Sequence, residues 1–356
     1  MDATVSLTDH QKWVLYNIVT GLREKKFTEV KLGGYAGTGK TVLVKYLMKF
    51  FPSYAAVAYT GKAASVVRKN GIHATTIHSR IYRPYFDNGV TYFELNPFLG
   101  HDGFLVDESS MVPRDIYSDL KSFGLPVVFV GDHGQLEPVD SDFNLMADPD
   151  FVLEEIHRNA GDIAKFAEHL RNGFGARSFL CDDGSVEFVS DAGPEVLSGV
   201  EQVICAYNKS RVEVNKTIRE HKGYDDVLHV GERVMCLRNS RQAGLFNGMQ
   251  GTVVGLSDGR YGRKYMDFQF DASDRPIEGV LYDPACFGKE NYKFKTGKDS
   301  PHPFEYAYCI TCHKAQGDQF DSVLVLEQRC KKWSHKRWAY TAASRAKKKL
   351  LWKHGF

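Results

Sequence analysis

Short apolar runs alternate along most of the chain with stretches whose apolar positions recur every three or four residues. This is the pattern of buried strands separated by amphipathic helices. Val14, Leu15, Ile18, Val19 and Leu22 mark an opening helix that begins at Thr8-Asp9-His10-Gln11. Val30–Leu32 reads as a strand running through a glycine-rich turn into the helix Val42–Leu47. Val57–Tyr59 is a strand ahead of the helix Lys62–Lys69, which Asn70-Gly71 stops. Phe104–Val106 and Val127–Val130 are two more strands, each meeting an acid at its end: Asp107 directly, Asp132 after one glycine. A second set follows, with strands at Val203–Ala206, Tyr306–Thr311, Val323–Leu326 and Leu350–Trp352 and helices at Asn208–Glu220 and Lys336–Ser344. Strands alternating with helices predict α/β layers on parallel sheets.

Two segments break the alternation. Within residues 80–100, Tyr85-Phe86-Asp87-Asn88-Gly89-Val90-Thr91-Tyr92-Phe93 sets Asn-Gly between β-forming residues, the strongest local hairpin signal because both turn residues accept positive φ. Residues 231–304 carry Asn247-Gly248, Asp258-Gly259 and the β-like run Gly251–Val254, which together predict a small β barrel inserted into the second core.

A length of 356 residues suits two domains of about 150 residues each, with insertions. At 43% hydrophobic and 25% charged the composition is globular. No apolar run approaches the roughly 20 residues that span a bilayer, so no membrane role is expected. Met1–His10 lacks the basic and apolar regions of a signal peptide, and seven scattered cysteines suit reduced thiols. Both readings point to the cytoplasm. A net charge of only +2 means that any grip on nucleic acid must come from a local track.

The chemistry concentrates in Gly33–Thr41, which fits G-x-x-x-x-G-K-T between a strand and a helix. Gly34, Gly37, Thr38 and Gly39 let backbone N–H groups curl around a phosphate at the positive end of the new helix. Lys40 would reach the β- and γ-phosphates and the Thr41 hydroxyl would hold Mg²⁺. The bland alternative is a glycine-rich turn. Asp107-Glu108 follows a buried strand, where the first carboxylate suits Mg²⁺ and the second can orient and deprotonate water. An acidic surface turn is the alternative there. Beyond the next strand, Gln135 in Gly131–Val139 can sense a γ-phosphate.

Taken in order, these segments resemble the successive motifs of superfamily-one helicases, closest to the RecD/Dda branch. The phosphate loop is followed by Ala58-Tyr59-Thr60-Gly61-Lys62-Ala63-Ala64, Ala74-Thr75-Thr76-Ile77-His78, Asp107–Met111 and Gly131–Val139. Leu153–Arg158, Tyr308–Gly317 (T-x-H-K-x-Q-G) and Tyr340–Ala346 complete the series, so the resemblance spans essentially the whole chain. It implies two RecA-like ATPase domains, at 1–79 with 101–175 and at 176–230 with 305–356. A hairpin pin at 80–100 and an SH3-like insertion at 231–304 complete the implied architecture.

The resemblance also implies roles. Gln11 would read adenine, although T-x-x-Q is equally a helix capping box. Gln135 would couple the γ-phosphate to the DNA-facing loops, and Arg158 and Arg345 would reach it as arginine fingers. Arg158 can also be read as a surface arginine. Thr60, Lys62, Thr76, His78, Thr311 and His313 would face single-stranded DNA. Phe86, Tyr92 and Phe93 would separate strands at the pin, unless they merely pack the hairpin down. Tyr59 stands where the family usually has proline, which leaves the strand's path there open. Cys309-Ile310-Thr311-Cys312-His313 also fits the C-x-x-C-H of haem attachment, but the same residues satisfy the helicase motif position by position.

The implied activity is ATP- and Mg²⁺-dependent unwinding of DNA with 5′→3′ translocation, in replication, repair or recombination. The rival is a single-strand-dependent ATPase that remodels protein–DNA complexes without efficient unwinding. Implied partners are single-stranded DNA, single/double-strand junctions, and a single-strand-binding protein or replication and recombination proteins. The chain would act as a monomer, and its compact build is similar to phage enzymes, which would place it in a host cytoplasm.

Overall fold

The computed structural model describes residues 6–87, 90–137, 143–155, 161–240, 243–271, 273, 275–293 and 300–356, with backbone alone for 84–87 and 90–92. The chain divides into two units, Met1–Ala160 and Gly161–Phe356.

In the first unit, α1 (Asp9–Arg23) leads into β1 (Glu29–Gly34), α2 (Lys40–Phe50), β2 (Tyr54–Ala58) and α3 (Gly61–Lys69). Next come β3 (Ala74–Thr76), α4 (Ile77–Ile81) and the hairpin β4 (Tyr82–Asp87) and β5 (Val90–Leu95). The unit closes with β6 (Gly103–Asp107), α5 (Arg114–Ser122), β7 (Val127–Gly131) and β8 (Phe151–Leu153). Six strands form one parallel sheet in the order β3-β2-β6-β7-β1-β8. Its central strands are buried on both faces, which is why Val127–Val130 and Phe104–Val106 read as unbroken apolar runs rather than alternating ones. Helices α1 and α2 pack Val14, Ile18, Leu43 and Leu47 on one side, while Ile77, Ile116 and Leu120 close the other.

The hairpin pairs Tyr82 with Leu95 through to Asp87 with Val90. Its Asn88-Gly89 turn and the side chains of Phe86 and Tyr92 lie outside the described residues. Phe93 is 68% exposed, so its ring does not pack the hairpin onto the core.

The second unit opens with α6 (Asp162–Arg171), β9 (Val186–Val189), α7 (Pro194–Ser198), β10 (Gln202–Cys205) and α8 (Asn208–His221). Then β11 (Arg233–Cys236), β12 (Gln250–Asp258), β13 (Lys264–Phe270), β14 (Ile277–Tyr282) and β15 (Phe304–Tyr306) build an antiparallel sheet ordered β14-β13-β12-β11-β15. The chain returns through β16 (Cys309–Thr311), β17 (Phe320–Leu326), α9 (His335–Ala343) and β18 (Ala346–Lys353) to a parallel sheet ordered β16-β10-β17-β18-β9. The division falls ahead of the expected boundary at 175, because Phe166 of α6 packs edge-on against Trp352 of β18 and Phe188 of β9.

The single strand expected over Tyr306–Thr311 is in fact two. Residues 304–306 pair with β11 in the antiparallel sheet and 309–311 with β10 in the parallel one, with Ala307-Tyr308 carrying the chain between. Two buried ion pairs fasten the antiparallel sheet to α8. Arg211 meets Glu305 of β15 at 2.8 Å, and Arg219, about two helical turns on and so on the same face, meets Glu232 at 2.6 Å. Lys314 joins the first pair, 2.5 Å from the other Glu305 oxygen.

At the end of β17, Glu327 pairs with His335 at 2.8 Å, accepts from the Trp352 indole at 2.9 Å and meets His354. Burial alone would raise its pKa; the bonds from His335 and Trp352 and the nearby imidazoles outweigh that and hold it down at about 2, against an ordinary 4.5. A depressed folded-state pKa stabilises above the ordinary value, and the contribution is lost as pH falls through 4.5 toward 2. In urea titrations, wild type is expected to lead Glu327→Gln by about 3 kcal/mol at neutral pH, with the gap closing across that window. A gap independent of pH between 4.5 and 2 would contradict this.

Candidate functional site

Parallel strands deliver their carboxyl ends to one edge of the sheet, and loops leaving that edge line a ligand crevice. In the first unit this edge carries, in spatial order, Thr76 at the end of β3, Thr60 after β2, Asp107-Glu108 at β6, Gln135 beyond β7 and the glycine loop after β1. Segments scattered over a hundred residues of sequence thus become a single row.

The glycine loop depends on its glycines for two different reasons. Gly37 and Gly39 both sit at φ 86°, where a side chain would strain the backbone. A Cβ on Gly34 would come within 2.7 Å of Thr38 Oγ1, and one on Gly33 within 2.8 Å of Pro149. Lys40 opens α2 and folds back across the loop, donating to the carbonyls of Gly34 at 2.7 Å and Tyr35 at 2.9 Å. Thr38 is buried and donates to Tyr35 O at 2.9 Å. Thr41 follows Lys40 in the first turn of α2.

Gln11 combines both sequence readings. Its Oε1 accepts from Thr8 N at 3.1 Å and its own N–H donates to Thr8 Oγ1, a complete capping box. Its Nε2 meanwhile donates to Thr38 O at 3.1 Å, so the cap of α1 also braces the glycine loop.

Asp107 accepts the Glu108 amide at 2.9 Å. Burial, reinforced by the Glu108 charge, pushes the Asp107 carboxyl up to about 6 against the pull of that amide and of Lys40. Glu108 adopts φ 51°, the left-handed region that a non-glycine residue enters at a cost of roughly 1–3 kcal/mol. Such strain at a strand end is a mark of sites where side-chain placement matters more than backbone comfort. Asp132 is buried and accepts from Gly134 N at 2.9 Å and Gln135 Nε2 at 3.1 Å, so this acid orients Gln135.

Magnesium nucleotide fits this arrangement. Gly33 and Gly34 leave no room for a Cβ, Lys40 would supply the phosphate cation, and the Asp107 carboxyl, pushed up by burial and then by the Glu108 charge, is one a divalent cation would relieve. Thr41 and Asp107 would hold the metal, which when bound neutralises phosphate charge.

Thr60 and Thr76 lie on adjacent strand ends, and each caps the following helix, accepting Ala63 N at 3.1 Å and Ser79 N at 3.2 Å. Lys62 sits in the first turn of α3, and the exposed His78 ring lies 5.9 Å from Tyr59 and 5.6 Å from Tyr82. Thr311 ends β16, and His313 meets the Trp333 ring edge-on at 5.0 Å. Arg345 is buried and donates within its own unit to Thr341 O at 2.9 Å, Asp318 O at 3.1 Å and Ser344 Oγ at 2.8 Å. Arg158 lies outside the described residues. Cys309 and Cys312 are both fully buried with burial raising their thiols, which leaves the haem-like spacing no accessible sulfur.

Sequence reasoning missed the pairing of Tyr35 with His133. Tyr35 O–H and His133 Nε2 are 2.7 Å apart with ring centroids at 4.3 Å, tying the glycine loop to the Gln135 loop. No local signal announces it, since the partners lie far apart in sequence and meet only because β1 neighbours β7.

The AAA domain family model matches residues 7–191, and that of the UvrD-like helicase C-terminal domain matches residues 306–351. The RecBCD enzyme subunit RecD of Mycolicibacterium smegmatis is 25% identical over 400 residues, a match covering 90% of this chain and 67% of that protein. The ATP-dependent DNA helicase dda of Enterobacteria phage T4 is 28% identical over 250 residues, covering 60% of this chain and 57% of that protein. The chain therefore spans between about half and two thirds of these relatives. Among solved structures, Bacteroides Pif1 bound to ssDNA superposes with a TM-score of 0.66 at 20% identity, covering 98% of this chain and 92% of that one. Pif1 helicase from Candida albicans gives 0.64 at 20% identity, covering 99% and 95%. Both share the fold of two parallel-sheet α/β units.

Proposed function

Since the chain belongs to the matched AAA domain family and, with it, to the superfamily-one helicases of the RecD, Dda and Pif1 kind, we propose that it is an ATP-dependent DNA helicase. It translocates 5′→3′ on single-stranded DNA and separates duplex at a junction. The observation that carries this reading is the row along the first sheet, where the candidate strand-facing threonines, the carboxylates, Gln135 and the phosphate loop share one edge. Work at one end of such a row has a short mechanical path to the other.

Lys40 and the loop amides hold the phosphates, Glu108 takes a proton from the attacking water, and Gln135, steadied by Asp132, follows the γ-phosphate. Arg158 and Arg345 are proposed to stabilise the charge that develops there, and Gln11 to read the base. Thr60, Lys62, Thr76, His78, Thr311 and His313 are proposed to hold the strand. The hairpin β4–β5 is the proposed pin and the antiparallel sheet the proposed SH3-like element. Magnesium, single-stranded and forked DNA, and a monomeric working state complete the proposal. Relatives described as bound to ssDNA and to ADP-AlF3 with ssDNA support it.

The deciding assay is unwinding of duplexes bearing a 5′ tail, a 3′ tail or none. Release from the 5′-tailed substrate is expected. Preference for the 3′ tail would overturn the polarity, and DNA-stimulated hydrolysis without release would favour the remodelling reading. At the pin, base–aromatic stacking worth ~1–3 kcal/mol competes with roughly 1.4 kcal/mol to open a step. Phe86→Ala is therefore expected to lower unwinding roughly five- to a hundredfold while sparing DNA-stimulated hydrolysis. Equal losses in both assays would move the wedge elsewhere.

A further inference from the structure

Past Val253, which is buried and still bonded to Glu232, β12 runs on beyond β11, and its burial stops there: Val254 and Leu256 are exposed. The strand continues beside β13 to a tight tip, Gly259-Arg260-Tyr261-Gly262-Arg263, closed by Gly259 N donating to Arg263 O at 2.8 Å. Tyr261 stands at this tip 98% exposed, more than any other large apolar or aromatic side chain among the described residues. Its φ is 60°, a conformation that asparagine or glycine adopts readily and a tyrosine does not. A turn selected only to reverse the chain would not need this residue.

The charges around the ring are equally specific. Lys264 is matched by Asp258 at 2.7 Å. Arg260 and Arg263 are exposed, and among the described residues neither has an ion-pair partner. The tip therefore offers one aromatic face between two uncompensated guanidinium groups. An aromatic base flanked by phosphates matches both features: the ring supplies stacking and the arginines supply charge. In a duplex the faces of each base are already stacked within the helix, so a lone protruding ring selects an unpaired base.

We propose that the β12–β13 tip is a binding site for single-stranded nucleic acid, in which Tyr261 stacks on an unpaired base and Arg260 and Arg263 hold the flanking phosphates. This rests on the reading of the chain as a DNA-dependent motor, and adds to it a contact outside the motif residues.

The test uses the full chain and a fluorescent oligothymidylate, with anisotropy followed across a salt series. Tyr261→Asn relieves the backbone, so it is expected to melt at or above the wild-type temperature while weakening binding roughly five- to a hundredfold. Tyr261→Phe keeps the ring and the affinity. Arg260→Ala with Arg263→Ala is expected to lower the slope of log K against log salt by about 1.4, since each phosphate contact to a single strand contributes about 0.7. Unchanged affinity in Tyr261→Asn and an unchanged slope in the double variant would overturn the proposal. Equal losses on blunt duplex would replace base stacking by a duplex grip and overturn it as well. If wild type fails to bind the oligonucleotide, the motor reading falls, and this contact with it.

Discussion

Lys40→Ala is expected to lower ATP hydrolysis by at least about a hundredfold, the scale for removing one positioned donor from a phosphoryl or oxyanion site. Lys40 is the one cation of the glycine loop, and its ammonium already lies across the loop mouth on the Gly34 and Tyr35 carbonyls. Phosphate oxygens would replace those carbonyls as acceptors. The alanine variant loses both the brace and the charge, and Asp107 loses the cation that opposes its rise. The fold has little at stake, because the side chain is only half-buried and the loop keeps the Gln11–Thr38 and Tyr35–His133 ties. A coupled-enzyme assay with and without single-stranded DNA, set beside a thermal melt, separates the outcomes. Persistent DNA-stimulated hydrolysis by a folded Lys40→Ala protein would remove the nucleotide site from Gly33–Thr41.

Glu305→Ala is expected to be the most destabilising single change in the second unit. Arg211 and Glu305 are 3% and 4% exposed, and Glu305 also holds Lys314. Removing the one anion leaves a buried guanidinium unpaired, at a cost of about 3–5 kcal/mol. That is a large part of the roughly 5–15 kcal/mol by which a folded chain is stable. Replacing Arg211, Glu305 and Lys314 together by leucine or methionine should instead leave stability near wild type, because the desolvation penalty disappears with the charges. Urea midpoints of the two variants decide this. A loss below about 1 kcal/mol for Glu305→Ala would mean that water reaches the pair and screens it.

The glycine loop and the acids at Asp107 and Asp132 were legible because their signal is local: an apolar run, a turn residue and a functional group within ten positions. The helices α2, α3, α8 and α9 were legible for the same reason. What stayed hidden is non-local. Strands β3, β8 and β9 have only three or four residues each, and nothing in Ala74–Thr76 or Phe151–Leu153 separates them from loop until a neighbour is present to pair with. The run Tyr306–Thr311 reads as one strand, and where it breaks is set by where β11 and β10 lie. The buried role of Glu305 was invisible for a related reason, since a lone glutamate between two aromatics announces neither of its partners. The row order along the sheet edge required the topology, because chain order runs β1, β2, β3, β6, β7, β8 and spatial order does not.

Two residues, Ala307 and Tyr308, separate a strand of the antiparallel sheet from a strand of the parallel one, while Arg211 and Arg219 clasp the same boundary from α8. In sequence the 231–304 segment looks like a cassette that could be excised or exchanged. Energetically it is not separable. Cutting it out would take Glu232 from Arg219, stranding that arginine in an apolar interior, and fray the first pairing of Cys309 with Val203. Grafted elsewhere, it would arrive without the helix that neutralises Glu232. The two sheets of this unit should melt as one cooperative foldon, and recombination between related chains should be tolerated only at crossover points that keep α8 and β15 from the same parent.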